Sequence, residues 1–484
     1  LAHGHHSNAA DNDQLQLSGK ANGIAVILLL IGVVGVLASL GVSMAGGGLK
    51  RFYHAYATGY AFVFSIAMGG LFFLLVHYLV RAGWSVAVRR VPEALAATLP
   101  IMGLLAIPLV VAVWSGKGDV YPWAQPMPDH PTGSPLKSIE AVTHAAMANT
   151  HAGVDASAAA EPHRAPAQQN EHNVTADSHG TRSEPHTSHP TSAGAKPVSA
   201  LTMGKLVWLN PSFWTARIVF YFVFFSLVAM LFIRKSRSQD RSGDHTITEK
   251  LNLAAAPLML LTFALFTFAS FDLIMALDSD WYSTIFGIYY FAGSIDAMLA
   301  TVIITLAILQ RAGYLQHSVT KEHYHDLGKW LFAFTFFWGY IAFSQYMLIW
   351  YANIPETTYW FARRGATTNP DQLTAVGGWA TCTLALLFGR LLIPFAGLLS
   401  RHVKRNNASL VFWAAWILVF HYVDMLWIIM PEYSAKFTFG LPEIASLVGL
   451  VGIFAGSVIW RLGAAALRPV KDPRLPESLA FHNI

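Results

Sequence analysis

Ten long apolar stretches lie between Asn22 and Arg461, and several of them contain a carboxylate or a histidine. About 20 apolar residues cross a bilayer as a helix, so ten such stretches constrain the chain to an all-α, polytopic membrane protein. Ionisable groups inside such helices are costly and usually mark a pathway for an ion, a proton or a substrate. Composition agrees, with 54% hydrophobic and 12% charged residues, where a soluble protein carries roughly 25% charged. The formal charge of +5 does not imply nucleic acid, because the basic residues sit in short loops and form no stripe. Cys382 is the only cysteine, which excludes an intrachain disulfide, a CxxC pair and an iron–sulfur cluster held by this chain alone.

The spans are expected at about 22–45, 52–80, 93–114, 212–233, 253–277, 284–310, 327–353, 374–399, 408–430 and 441–463. Lys and Arg set their orientation. The loops after the even-numbered spans carry Arg81, Arg89 and Arg90; Arg234, Lys235, Arg237, Arg241 and Lys250; Arg311 and Lys321; and Arg401, Lys404 and Arg405. The tail adds Arg468, Lys471 and Arg474, whereas the opposite loops hold Lys50, Arg51, Arg363, Arg364 and Lys436. The positive-inside rule then places both the segment 1–21 and the tail 464–484 in the cytoplasm.

Between spans 1–3 (22–114) and spans 4–10 (207–463) lies a loop at 115–206, rich in Ala and His. It has too little apolar periodicity to fold alone and is expected outside the cytoplasm. Its histidines (His130, His144, His151, His163, His172, His179, His186 and His189) are irregularly spaced and lack recurring acidic or cysteine partners. No metal site is expected there.

A faint duplication links Phe271-Asp272-Leu273-Ile274-Met275 with Val423-Asp424-Met425-Leu426, four spans apart. It fits two four-helix bundles, spans 2–5 and 6–9, of parallel topology, with spans 1 and 10 peripheral.

His421 and Asp424 are i and i+3 on the ninth span and share a face near the bilayer midplane. An imidazole beside a carboxylate there is either a proton-passing pair or a hydrogen-bonded fastening between helices. Asp296, in the middle of the sixth span, is either a relay group or a carboxyl kept protonated and bonded to a neighbouring carbonyl. Asp272, near the outer end of the fifth span, and His54, opening the second, are candidates for an outer-face site. Asp278 and Asp280 read as solvated acids, and Tyr56, His77 and Tyr78 as interfacial anchors. The seventh span offers Tyr340, Ser344, Gln345 and Tyr346 toward its outer half, able to hold a file of water. At its inner end, Glu322, His323, His325, Asp326 and Lys329 form either a proton-collecting mouth or a solvated helix start capped by Asp326. Arg390, in the eighth span, either snorkels to the interface or neutralises a carboxylate. Histidines paired across helices for a b-type haem are lacking, as are a Walker A loop, a dinucleotide fingerprint and HExxH. No catalytic residue is assigned.

Ser270-Phe271-Asp272, Ser283-Thr284-Ile285-Phe286-Gly287 and His325-Asp326-Leu327-Gly328-Lys329 form a specific set, and so does the run from Trp338-Gly339-Tyr340 through Ser344-Gln345-Tyr346 to Asn353-Ile354-Pro355-Glu356. With Phe52-Tyr53-His54-Ala55-Tyr56 and Arg81-Ala82-Gly83-Trp84, they resemble the NrfD-like integral membrane subunits of bacterial alternative complex III, of the ActF type. The resemblance covers about residues 22–463 and leaves out the histidine-rich loop. It implies a bacterial inner-membrane subunit of a quinol:electron-acceptor oxidoreductase, paired with the homologous subunit ActC. Multihaem and monohaem cytochromes c and an iron–sulfur protein would be its other partners and would carry the haem c and the iron–sulfur clusters. It further implies that the quinol site belongs to ActC, near its outer face. This subunit would then be auxiliary, contributing structure and a proton path, with no cofactor of its own and room for a quinone or lipid. On that reading Asp296, His421 and Asp424 form the centre of the path, Tyr340, Gln345 and Tyr346 its outer half, and His325 with Asp326 its inner mouth. A quinol site in this chain, built on His54 and Asp272, and a purely structural scaffold are the alternatives.

Overall fold

The computed structural model describes residues 12–124, 200–365 and 378–482. Ten helices are long and apolar enough to cross a membrane: α1 (Gly19–Gly46), α2 (Gly48–Leu79), α3 (Arg90–Ser115), α4 (Pro211–Ser242), α5 (Thr246–Leu277), α6 (Phe286–Arg311), α7 (Lys321–Ala352), α8 (Trp379–Leu399), α9 (Asn407–Tyr433) and α10 (Leu441–Gly463). No strand occurs among the described residues, so the chain is the all-α membrane type that its hydropathy predicts. The histidine-rich loop lies, from 125 to 199, outside the described residues.

Local chemistry sets the helix ends. Asn210 accepts the N–H of Ser212 at 3.0 Å to cap α4, with Pro211 following at the first helical position. Asn406 caps α9 in the same way. Asp326 does not cap α7. That helix starts earlier, at Lys321, because Thr320 is extended and accepts the N–H of Glu322 while His323 folds back onto the Thr320 backbone. Pro100 and Pro108 divide α3 into Arg90–Ala96, Leu99–Leu105 and Ile107–Ser115, since each removes an N–H from the ladder.

Helices α2–α5 close into one four-helix ring and α6–α9 into a second, each helix packing on the next and the fourth on the first. The rings join where α2 meets α6 and α9, and where α5 meets α6. Burial follows this arrangement: 89% of the apolar window of α2 and 78% of that of α6 is covered, against 28% for α7 and α8. Helices α2 and α6 are thus the axis, while α7 and α8 present a flank outward. Peripheral α1 and α10 lie against each other and lean on α2. Their approach requires glycine, because a Cβ on Gly32 would sit 2.5 Å from the backbone nitrogen of Ile453.

The described segments before α1 and after α10 meet at one end of the bundles. The Leu467 N–H donates to the Leu15 carbonyl at 2.7 Å, and Asp13 accepts the N–H groups of His317 and Ser318 at 2.9 and 2.7 Å. Ser478 of the tail accepts the Ala87 N–H at 3.1 Å. Arg89 and Arg90, read from sequence as loop charges, are buried at the start of α3 and ion-paired: Arg89 with Asp472 at 2.6 Å, Arg90 with Glu93 and Asp240.

Candidate functional site

The second ring buries a connected polar network. Helix α9 supplies His421 and Asp424, both 0% exposed, with Asp424 roughly 13 Å from the Tyr433 end of its helix. Helix α8 supplies Arg390 from a π-helical stretch, Leu386–Leu392. A π turn re-aims side chains relative to a regular helix and often occurs at functional sites. Trp416 steadies it by donating to the Gly389 carbonyl at 2.6 Å.

Arg390 neutralises a carboxylate, one of its two sequence readings. Its Nη1 donates to Asp424 Oδ2 at 2.6 Å and its Nη2 to His421 Nδ1 at 2.8 Å, while its guanidinium lies 4.2 Å from the Trp338 ring centroid. A guanidinium only donates, so the His421 proton resides on Nε2. That nitrogen lies 2.8 Å from Ser65 Oγ of α2, which in turn donates to the Phe62 carbonyl at 2.7 Å. His421 and Asp424 therefore communicate through Arg390, and His421 also ties the second ring to the axial helix of the first.

Tyr289 of α6 donates to the remaining Asp424 oxygen. Tyr289, Gly293 and Asp296 recur at i, i+4 and i+7 on one face of α6. Gly293 faces the network, where a Cβ would lie 2.8 Å from Arg390 Nη2. Asp296, one turn further in, is 3.1 Å from Thr335 Oγ1 of α7, and its Oδ2 is buried with no partner among the described residues. Beyond Thr335 no side-chain hydrogen bond among the described residues carries the network onward. Buried Leu331 and Leu327 fill the roughly 13 Å of α7 that separates Thr335 from Asp326. Asp326 pairs with Lys329, and Glu322 pairs with Arg405 at 3.0 Å. No contact links His325 or Asp326 to the network among the described residues.

Toward the C-terminal ends of α7 and α9, the network borders a cavity of about 520 Å³ lined by residues of α6–α9 and of the helix Pro355–Ala362. Gln345 and Tyr346 line it beside Tyr289, Trp338, Trp360, Phe361 and Trp427. Tyr340, expected among the outer-half groups, is 58% exposed on the flank of α7 and is not part of the cavity wall. Arg364 lies over Trp360 (3.5 Å to the centroid) and donates to Glu432 at 3.1 Å. Arg363 bridges Glu432 (2.8 Å) and Asp278 (2.5 Å). Burial first, and then the Glu432 carboxylate, holds Asp278 above the usual carboxylate range; burial lowers Arg364 to about 10 against the pull of Glu432. Asp278, read from sequence as a solvated acid, is thus part of a packed ion cluster.

The first ring repeats the arginine–carboxylate theme. Asp272 accepts from Arg217 Nη2 (2.8 Å) and Nε (2.9 Å), from the Trp208 indole (2.9 Å) and from Tyr221 (3.0 Å). Its bonding capacity is filled from α4 and the segment before it. His54 instead contacts the Lys50 carbonyl at 2.7 Å and the Tyr433 ring at 5.8 Å. The fold does not bring these two outer-face candidates together among the described residues. In each ring the pair joins the third helix to the fourth: Arg217 to Asp272, Arg390 to Asp424. Sequence reasoning missed Tyr289, Gly293, Ser65, Trp338 and the Arg217–Asp272 pair. The usable signal was an arginine within an apolar span of each repeat.

No protein-family model matches the chain, and no curated protein matches it.

Proposed function

We propose that this chain is an auxiliary integral membrane subunit of a quinol-oxidising respiratory complex of the alternative complex III type, similar to ActF and paired with an ActC-like subunit. Its second ring would carry protons through part of the membrane. The observation that supports this reading is the uninterrupted set of buried titratable groups, Tyr289–Asp424–Arg390–His421 with Asp296 one turn inward, at membrane depth. Such groups are expensive in lipid and are retained where protons or ions move. In the proposal Tyr289 relays between the outer cavity and Asp424. Arg390 holds Asp424 and His421 in place and offsets the carboxylate charge, and Asp296 receives the proton on the inner side. The apolar stretch of α7 below Thr335 is the gate, so passage requires a conformational change there that electron transfer in partner subunits would bias. The end carrying both termini faces the cytoplasm of a bacterial inner membrane by the positive-inside rule. The electron carriers, iron–sulfur clusters and haem c, belong to partners.

The first ring supports a structural role, because Asp272 is consumed by Arg217, Trp208 and Tyr221. The test is quinol oxidation and proton release by the intact complex in liposomes, comparing wild type with Asp424→Asn and Asp296→Asn. Lost proton release with electron transfer retained supports a conduit. An unchanged proton-to-electron ratio in both variants sinks it.

A further inference from the structure

We propose that residues 470–482 are a latch: closed, they seal the seam between the two rings and fix the first turn of α7; open, they release both. The root of the latch is fixed. Leu467 and Arg468 are buried, Leu467 bonded to Leu15 at 2.7 Å and Arg468 to Ser318 at 2.6 Å. Beyond them the attachment changes character. Asp472, Leu475 and Ser478, at i, i+3 and i+6, are the buried residues of the stretch, and two of the three are polar. The helix there, Leu475–Leu479, is too short to hold itself. A segment fastened by polar contacts more than by apolar burial opens at low cost, because water replaces the partners it loses.

The fastenings reach both rings. Asp472 accepts from Arg89, just before α3, at 2.6 Å. The Ser478 hydroxyl donates to the Trp84 carbonyl at 2.6 Å and accepts the Ala87 N–H at 3.1 Å. His323 of α7 reaches the same oxygen at 3.3 Å. The Thr320 N–H donates to His323 Nδ1 at 3.1 Å, so Nε2 carries the proton and donates it to Ser478. The imidazole that caps α7 is thus held on its other side by the tail.

The seam runs between α2 and α7. Trp84 links Phe481 of the tail to His77 of α2, at 6.2 and 5.5 Å between ring centroids, and His77 meets Trp330 of α7 at 5.4 Å. His77 Nδ1 donates to the Phe73 carbonyl at 2.8 Å, which leaves Nε2 a bare acceptor, buried without a partner among the described residues. Opening the latch lets water reach that nitrogen, and the desolvation it recovers favours the open state. These contacts carry the inference, and proton conduction is no part of it.

The experiment is hydrogen–deuterium exchange of the full chain in phosphatidylcholine nanodiscs, read by mass spectrometry in the tail (470–482), at the start of α7 (319–326) and in mid-α6. In wild type the tail is expected to exchange well before mid-α6. Ser478→Ala, which removes the junction, should speed exchange in the tail and at the start of α7 by about tenfold, with mid-α6 unchanged. Asp472→Asn is the decisive variant. Asp472 bonds Arg89 and the Arg474 N–H and no residue of α7 among the described residues. Arg89 keeps Glu93 at 3.3 Å, so the fold survives. This variant should still speed the start of α7, which a latch moving as one piece explains. If Ser478→Ala does not fold, Asp472→Asn decides the matter. Faster exchange in the tail alone overturns the proposal, and so do variants indistinguishable from wild type or a tail protected like mid-α6. Equal acceleration in all three regions also overturns it, since the tail would then open only with the whole fold. Proton release in liposomes is read separately, so either proposal can fail alone.

Discussion

Arg390 and Asp424 face each other at 2.6 Å across α8 and α9, fully shielded from solvent, and the same guanidinium holds His421 at 2.8 Å. Neither charge has another counter-ion in contact among the described residues. Removing one partner therefore leaves the other uncompensated in a low-dielectric interior. Arg390→Leu is expected to cost about 3–5 kcal/mol, and Arg390→Leu with Asp424→Leu substantially less than that single change. Denaturation in detergent followed by circular dichroism checks it. A double variant as unstable as Arg390→Leu would show that packing, not charge, dominates there.

Gly293 should not tolerate alanine. A methyl there meets Arg390 Nη2 at 2.8 Å and His421 Cε1 at 3.3 Å, so the π turn of α8 must shift. Gly293→Ala is expected to destabilise by about 1–3 kcal/mol, although alanine would favour an isolated helix by about 1 kcal/mol. Comparison of its melting temperature with wild type decides the sign.

Tyr289 and Tyr340 separate network from surface. Tyr289→Phe removes the donor to Asp424 and should reduce coupled proton release in the reconstituted complex. Tyr340, 58% exposed, can be replaced by Phe with no change in proton-to-electron ratio. Equal effects of the two substitutions would contradict the assigned path.

The outer ion cluster gives a pH dependence. Burial and Glu432 raise Asp278 above its unfolded value, near 3.9. A raised carboxyl contributes stability that is complete below that unfolded value and is lost as pH rises through the folded one. At pH 7 Asp278→Asn should therefore cost less than about 1 kcal/mol despite its bonds to Arg363 and Tyr359. Arg363→Met should cost more, since it leaves Asp278 and Glu432 facing each other. Melting curves between pH 4 and 8 test this: the gap between wild type and Asp278→Asn should widen on acidification.

In the first ring, Arg217→Leu should destabilise by about 3–5 kcal/mol, because Asp272 would remain buried with only its tryptophan and tyrosine donors. Rescue by Asp272→Asn in the same chain is the expected readout of a lost ion pair.

The ten spans, their pairing into two rings and the common end of the termini were legible in the chain, because hydropathy, loop charge and repeat spacing are local properties. Asp424, His421 and Asp296 were legible as well, since a charge in an apolar run stands out wherever the helix points. Partnership was not legible. Whether Arg390 reaches outward or inward depends on the π turn that rotates it, and whether Tyr289 or Tyr340 meets Asp424 depends on the rotation of α6 and α7 about their axes. Packing against α2 and α9 sets that rotation, and only the assembled helices carry it. The same holds for Asp272, which reads alone as a candidate for an outer-face site and folds into the grip of Arg217. Sequence marked Asp424, His421 and Asp296 for burial; tertiary contact added Asp272, Arg89 and Arg90 and decided which of these groups share a charge.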